Sequence, residues 1–291
     1  MAPQLKGLLI TFAGVMFVVP DALFVRLLDA EPLVIAFWRN GIAGGLIFVG
    51  LLALRGTAPF REVLSTGRYG AIYVVSLAFS GVLFVLAISL TSVANAVFII
   101  AAMPVFAAIF SRIFLEEKIS PRMALTILAV IPGLGLIAYG SGETENAAWQ
   151  GDLAAMLVAA SFAAGLTAAR RVRHVSMVPA VPMAYCGSAL VLLLFVNPLI
   201  IPADQIPVLL IYGIFIVCSA SLLALGPRYI TSAEVALLIL LESALAPLLV
   251  WLVLGENPGL WALIGGAIVI GALAVSNLIV LRRKTAKVSK I

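Results

Sequence analysis

Apolar and polar positions along this chain fall into long blocks rather than a short alternation. Ten blocks of roughly 20 residues run nearly free of charge, at 5–27, 32–54, 69–89, 93–115, 121–140, 149–170, 176–199, 206–226, 232–254 and 259–280. A hydrocarbon core ~30 Å thick needs ~20 residues of α-helix to cross it, and lipid offers no partner to an open backbone. Each block therefore predicts a membrane-spanning helix, and the expected fold class is an all-α membrane protein with ten transmembrane helices. Little chain is left between the blocks, so function has to lie between the helices.

Composition agrees with this reading. The chain is 64% apolar and 11% charged, against roughly 45–50% and 25% in a soluble domain. Its net charge of +5 raises the question of nucleic acid, and the placement of the charge answers it. On the side of the N-terminus lie Lys6, Arg55, Arg61, Arg68, Arg112, Lys118, Arg122, Arg170, Arg171, Arg173, Arg228, Arg282, Arg283, Lys284, Lys287 and Lys290, which are 16 of the 18 basic residues. The opposite loops hold only Arg26, and Arg39 falls inside the second block. This asymmetry predicts that both termini are cytoplasmic, with the bilayer rather than nucleic acid as the partner. Lys6 ahead of an apolar run resembles a leader peptide, but the run is too long, contains Asp21 and lacks a cleavage site, so it is read as a helix.

The blocks are duplicated. Leu90-Thr91-Ser92-Val93-Ala94 opens the fourth and Ile230-Thr231-Ser232-Ala233-Glu234 the ninth. Phe114-Leu115-Glu116-Glu117 and Val253-Leu254-Gly255-Glu256 close them, and Ala124-Leu125 and Ala262-Leu263 follow in the next blocks. These landmarks recur at separations of 140, 139 and 138 residues, so two five-helix repeats are expected, over 1–142 and 143–291. Five is odd, so the second copy enters the membrane from the opposite side. Inverted repeats are the architecture of secondary transporters, whose halves exchange inward-open and outward-open shapes about a central site.

Small residues at Gly41-x-x-x-Gly45, at Ala129-x-x-x-Gly133 and Ala267-x-x-x-Gly271, and throughout the sixth block predict close helix packing. Pro20, Pro104, Pro132, Pro182 and Pro247 predict kinks. Cys186 and Cys218 lie inside blocks and are read as small apolar side chains.

Ionisable groups in a span are costly and become functional candidates by default. Glu242, in Leu241-Glu242-Ser243, is the most deeply placed charge and is the leading candidate to bind an ammonium group or a proton, with Ser243 beside it. Arg39 is either a binding charge or a structural one paired with Asp21 or an outer acid. Asp21 and Glu234 are read as interfacial. Uncharged candidates for lining a cavity are Ser76, Ser80, Asn95 and Ser219, with Phe17, Phe79, Phe84, Phe98 and Phe162 as candidate walls. The one histidine, His174, falls in a basic loop, so no histidine-based metal site or triad can be built, and no phosphate-binding G-x-x-x-x-G-K-[ST] occurs. No cofactor, metal or catalytic residue is expected, and energy for transport would come from a gradient.

Two segments carry a family resemblance. Ala87-Ile88-Ser89-Leu90-Thr91-Ser92-Val93-Ala94-Asn95-Ala96 resembles the A-L-x-x-T-S-A-x-x-A segment of the drug/metabolite transporter superfamily, specifically its ten-helix EamA-type exporters. Phe114-Leu115-Glu116-Glu117-Lys118 and Leu254-Gly255-Glu256 resemble that family's x-L-G-E-x helix end, with Glu116 in the place of its glycine. Arg39 matches an arginine common in the second span. The resemblance covers the whole chain. It implies export of a small metabolite from the cytoplasm across a bacterial inner membrane, through a cavity lined mainly by spans 1, 3, 4, 6, 8 and 9, and the branch expected is that of bacterial amino-acid exporters similar to the YddG type.

Sparse charge in the spans fits a zwitterion or neutral solute better than a phosphate. The expected function is a carrier exporting amino acids or similar metabolites, with coupling to protons left open. The alternatives are a carrier of amines, drug-like cations or nucleoside and purine compounds, an intramembrane enzyme, or a channel.

Overall fold

The computed structural model describes residues 3–116, 118–141, 148–172, 174–225, 229–230 and 232–288. Glu117, Glu143, Glu145, Arg173, Arg228, Thr231 and Lys290 lie outside them, as do the side chains of Ser232, Ala233, Glu234 and the basic tail. The described residues form α-helices joined by short connections, with no strand. The first span is two helices, α1 (Pro3–Val18) and α2 (Asp21–Leu27), and the second is α3 (Pro32–Arg55). A short α4 (Ala58–Ser65) leads into α5 (Arg68–Leu90). The fourth span is α6 (Val93–Ala101) plus α7 (Met103–Phe114), followed by α8 (Pro121–Ser141) and α9 (Trp149–Arg171). The remainder are α10 (Ala180–Leu192), α11 (Ile206–Leu225), α12 (Ser232–Leu254) and α13 (Leu260–Val288).

Eight of the spans are long and apolar enough to cross a bilayer; the seventh, and the described apolar part of the ninth at Leu238–Leu254, are shorter. The seventh differs from the expected 176–199 for a clear reason. Pro179 precedes α10, Pro182 sits in its first turn, and Asn197-Pro198 lies just past its end. Proline donates no backbone bond and turns the residue before it away from helix. The other prolines act unequally. Pro20 separates α1 from α2 and Pro104 lies in the first turn of α7, whereas Pro132 and Pro247 sit inside unbroken helices.

Neighbours are paired with the symmetry expected of two exchanged halves. Helix α5 packs on α9, and their counterparts α11 and α1 pack on each other. Likewise α3 lies on α11 and α10 on α5, while α8–α13 and α3–α10 join equivalent helices of the two halves. Close approaches fall at particular glycines. A Cβ on Gly265 would stand 2.5 Å from the Gly133 carbonyl oxygen, and one on Gly133 would stand 3.0 Å from that of Gly265. A Cβ on Gly44 would stand 2.8 Å from the Cys186 backbone nitrogen. The expected partners Gly45 and Gly271 have open space instead, and Gly41 makes ordinary contact. Periodicity found the right helices and missed the face by one residue in α3 and by six in α13. The small residues of α9 serve packing: Ala154, Ala155, Ala159, Ala163 and Ala168 are buried.

Among the described residues, Thr91-Ser92 and the helix ends at Glu116 and Gly255 are backbone devices. Thr91 ends α5 with its N–H on the Ala87 carbonyl (3.0 Å), and Ser92 caps α6 by accepting the Asn95 N–H (3.2 Å). Gly255 has φ 70°, and Glu116, its equivalent in the first repeat, has φ 59°. Both helix ends therefore turn through the left-handed region, which glycine enters without penalty and other L-residues enter at a cost of ~1–2 kcal/mol. Glu116 is exposed. Glu116→Gly is expected to stabilise the protein by about 1 kcal/mol, read as a higher unfolding temperature in detergent; an unchanged or lower temperature would mean that the turn carries no strain.

Candidate functional site

Pro20 ends the first helical segment, so Asp21 begins α2 inside the bundle rather than at its rim. Asp21 is 3% exposed, which corrects the interfacial reading. Arg39 from α3 grips it: Nε donates to Asp21 Oδ1 at 3.1 Å and Nη2 donates to Oδ2. Its Nη1 donates to Asn40 Oδ1 at 3.1 Å. Asn40 Nδ2 then donates to Ser188 Oγ (2.9 Å), which donates to the Tyr185 carbonyl (2.9 Å). The Tyr212 hydroxyl donates to Asp21 Oδ1. Phe84, Tyr185 and Tyr212 surround the guanidinium, with ring centres 5.3, 5.9 and 6.0 Å away. Five helices from both halves thus meet at one neutral, hydrogen-bonded pair. Of the partners open to Arg39, the structure gives it Asp21.

An aromatic row leads from this pair along α1, α2 and α11. Phe17 meets Phe215 edge-on at 5.3 Å, Phe215 meets Phe24 at 5.3 Å, and Phe24 stacks on Tyr212 at 5.1 Å. Tyr212, Phe215 and Ser219 share one helical face of α11, and Ser219 is buried. Helix α12 packs on both α1 and α2. It carries Glu242, half-buried, and Ser243, buried. Glu242 lies within the electrostatic reach of Asp21 and Arg39. Unlike them it has no hydrogen bond or ion pair among the described residues.

The other predicted residues are dispersed. Ser80 bonds back to the Leu77 carbonyl of its own helix (3.0 Å), and Ser76 faces Gly165 across the α5–α9 contact. Phe79 points outward at 52% exposure. Phe98 fills the space that Gly266 leaves on α13. Phe162 lines a small cleft with Tyr73, Leu77, Gly165 and Leu166. Asn95 sits at the α5–α6 junction, its Nδ2 3.5 Å from Thr91 Oγ1. Phe17, Phe84, Ser219, Glu242, Ser243 and Arg39 remain with the charge pair and the aromatic row. Sequence reasoning missed Tyr212, Phe24, Phe215 and Asn40. Tyr212 carried a signal, as a hydroxyl in the middle of an apolar span followed by Gly213, where a Cβ would stand 2.3 Å from Ile42 Cγ2.

The profile of the EamA-like transporter family matches this chain twice, over residues 5–139 and 149–278. The chain belongs to the EamA-like transporter family. This EamA-like protein has the multi-pass membrane build of that family. It is 26% identical over 208 residues to the uncharacterized transporter YdfC of Bacillus subtilis (strain 168), a match covering 66% of this chain and 63% of YdfC, so under two thirds of that relative's length is spanned. A solved crystal structure superposes with a TM-score of 0.65 at 18% identity, covering 96% of this EamA-like chain and 99% of the other. That likeness concerns the fold alone.

The buried pair makes a stability prediction for this transporter. Breaking such a pair by removing one partner costs about 3–5 kcal/mol, because the other charge is left uncompensated. Asp21→Asn and Arg39→Gln are each expected to cut the yield of folded protein sharply, with Asp21→Asn/Arg39→Gln recovering part of it. Size-exclusion profiles and unfolding temperatures in detergent read this out. A single variant as stable as the wild type would show that the pair is dispensable for folding.

Proposed function

We propose that this transporter exports small ammonium-bearing metabolites, amino acids first, from the bacterial cytoplasm by alternating access. The observation that carries the reading is the contrast between two acids: Asp21 has its charge matched by Arg39, while Glu242 lies within its electrostatic reach with no partner among the described residues. A carboxylate held without a counter-charge between spans attracts a cation or a proton. The aromatic row beside it offers apolar and π surface to a side chain or an organic cation. The halves 1–142 and 143–291 are the two moving units, and the paired neighbours and the twofold family match support this. Both termini lie in the cytoplasm, as the basic loops require.

One observation favours a second reading within the same class. Arg39 is occupied by Asp21 and Asn40, and so is not free to receive a substrate carboxylate. Amines and organic cations then need only Glu242 and the aromatic wall, whereas an amino acid needs a further donor.

Radiolabelled uptake into proteoliposomes, using a panel of amino acids, amines and nucleosides, tests both. Saturable flux of ammonium-bearing solutes is expected, and Glu242→Gln should lower it by about tenfold, the loss of one charge-assisted contact. Flux confined to nucleosides, or Glu242→Gln transporting at the wild-type rate at every pH, would overturn the proposal.

A further inference from the structure

Away from the charge pair, at the end of the bundle opposite the N-terminus, four spans from both halves are tied by a second polar network. Arg26, at the end of α2, donates from Nη2 to the Thr91 carbonyl at 2.9 Å and to Glu256 Oε1 at 3.3 Å. Its Nε stands 3.0 Å from Glu256 Oε2. Glu256, just past α12, also accepts the Val93 N–H at 2.7 Å. Thr91 Oγ1 donates to Asp152 of α9 at 2.7 Å, and the Ala148 N–H donates to the Leu90 carbonyl at 3.0 Å. Gly151 completes the closure: a Cβ there would stand 2.5 Å from the Thr91 nitrogen.

This ion pair differs in kind from Asp21–Arg39. The side chains of Arg26 and Glu256 are 20% and 14% exposed, against 7% and 3% for Arg39 and Asp21. Water reaches the outer pair and screens it, so it can part at low cost, while the inner pair cannot.

A second arginine stands in a like place: Arg170 lies in the last turn of α9, as Arg26 lies in the last turn of α2. Arg170, near the end of α9 at the other face of the bundle, donates to Ser111 Oγ of α7 at 3.3 Å. In each repeat, therefore, the first span ends in an arginine that reaches the fourth span of the other repeat, one at each face.

We infer that the Arg26–Glu256 pair is the outer latch of the transport cycle, closed in this structure and parted when the carrier opens outward. This rests on the carrier reading above. The structure is then the outer-closed state, held by Arg26 across the α2, α5–α6 and α12 ends.

The test uses the full chain in proteoliposomes with Cys186→Ala and Cys218→Ala, into which Arg26→Cys and Glu256→Cys are placed together. Bridging these two cysteines with a short bifunctional thiol reagent is expected to cut saturable exchange about tenfold, and reductant should restore it. In a separate arm, Arg26→Glu should lose exchange and Arg26→Glu/Glu256→Arg should regain it. A bridged carrier that exchanges at the reduced rate would overturn the latch, as would a charge swap no better than Arg26→Glu. If the unbridged, cysteine-free parent shows no saturable flux, the carrier reading itself fails, which separates that failure from failure of the latch.

Discussion

Lipid tolerates a buried charge only when something cancels it, and Asp21–Arg39 is where this chain meets that demand. Two full charges sit in a low-dielectric bundle, so the geometry around them is constrained. The carboxylate receives the guanidinium and a tyrosine hydroxyl, and the guanidinium is further held by Asn40. Each partner comes from a different part of the chain: α2, α3 and α11 for the pair and its tyrosine, α10 through Ser188, and α5 through Phe84. An α3 turned a few tens of degrees would strand Arg39 in hydrocarbon. The pair thus fixes the register of five helices at once and joins the two halves at their centre.

From this fixed centre the two acids of the interior part ways chemically. Asp21 is cancelled and belongs to the scaffold. Glu242, on a helix packed against the one that carries Asp21, has no such partner among the described residues. The pair at the Arg26 face is more exposed than Asp21–Arg39. The three acids thus differ in the partners around them and in their exposure.

Much of this fold was legible in the order of residues, because lipid enforces a coarse and uniform rule on segment length. The apolar blocks follow from the demand that a backbone in lipid bond to itself, and Thr91-Ser92 and Gly255 stand at helix ends. What stayed hidden was which face of a helix meets which neighbour. In a soluble helix the polar side reveals orientation; in spans that are greasy all round it does not. That is why Gly44 rather than Gly45 makes the tight approach, why Phe79 faces outward, and why Tyr212 and Phe24 went unnoticed beside better-marked serines. Asp21 was misread because counting from the span end took no account of the break at Pro20.

That break has a mechanical consequence. The first span is jointed between α1 and α2, and the fourth between α6 and α7, whereas their counterparts α9 and α12 run as single rods of 23 residues each. Bending is therefore easiest at two elbows, in the first and fourth spans, while α9 and α12 stand beside them as unbroken rods.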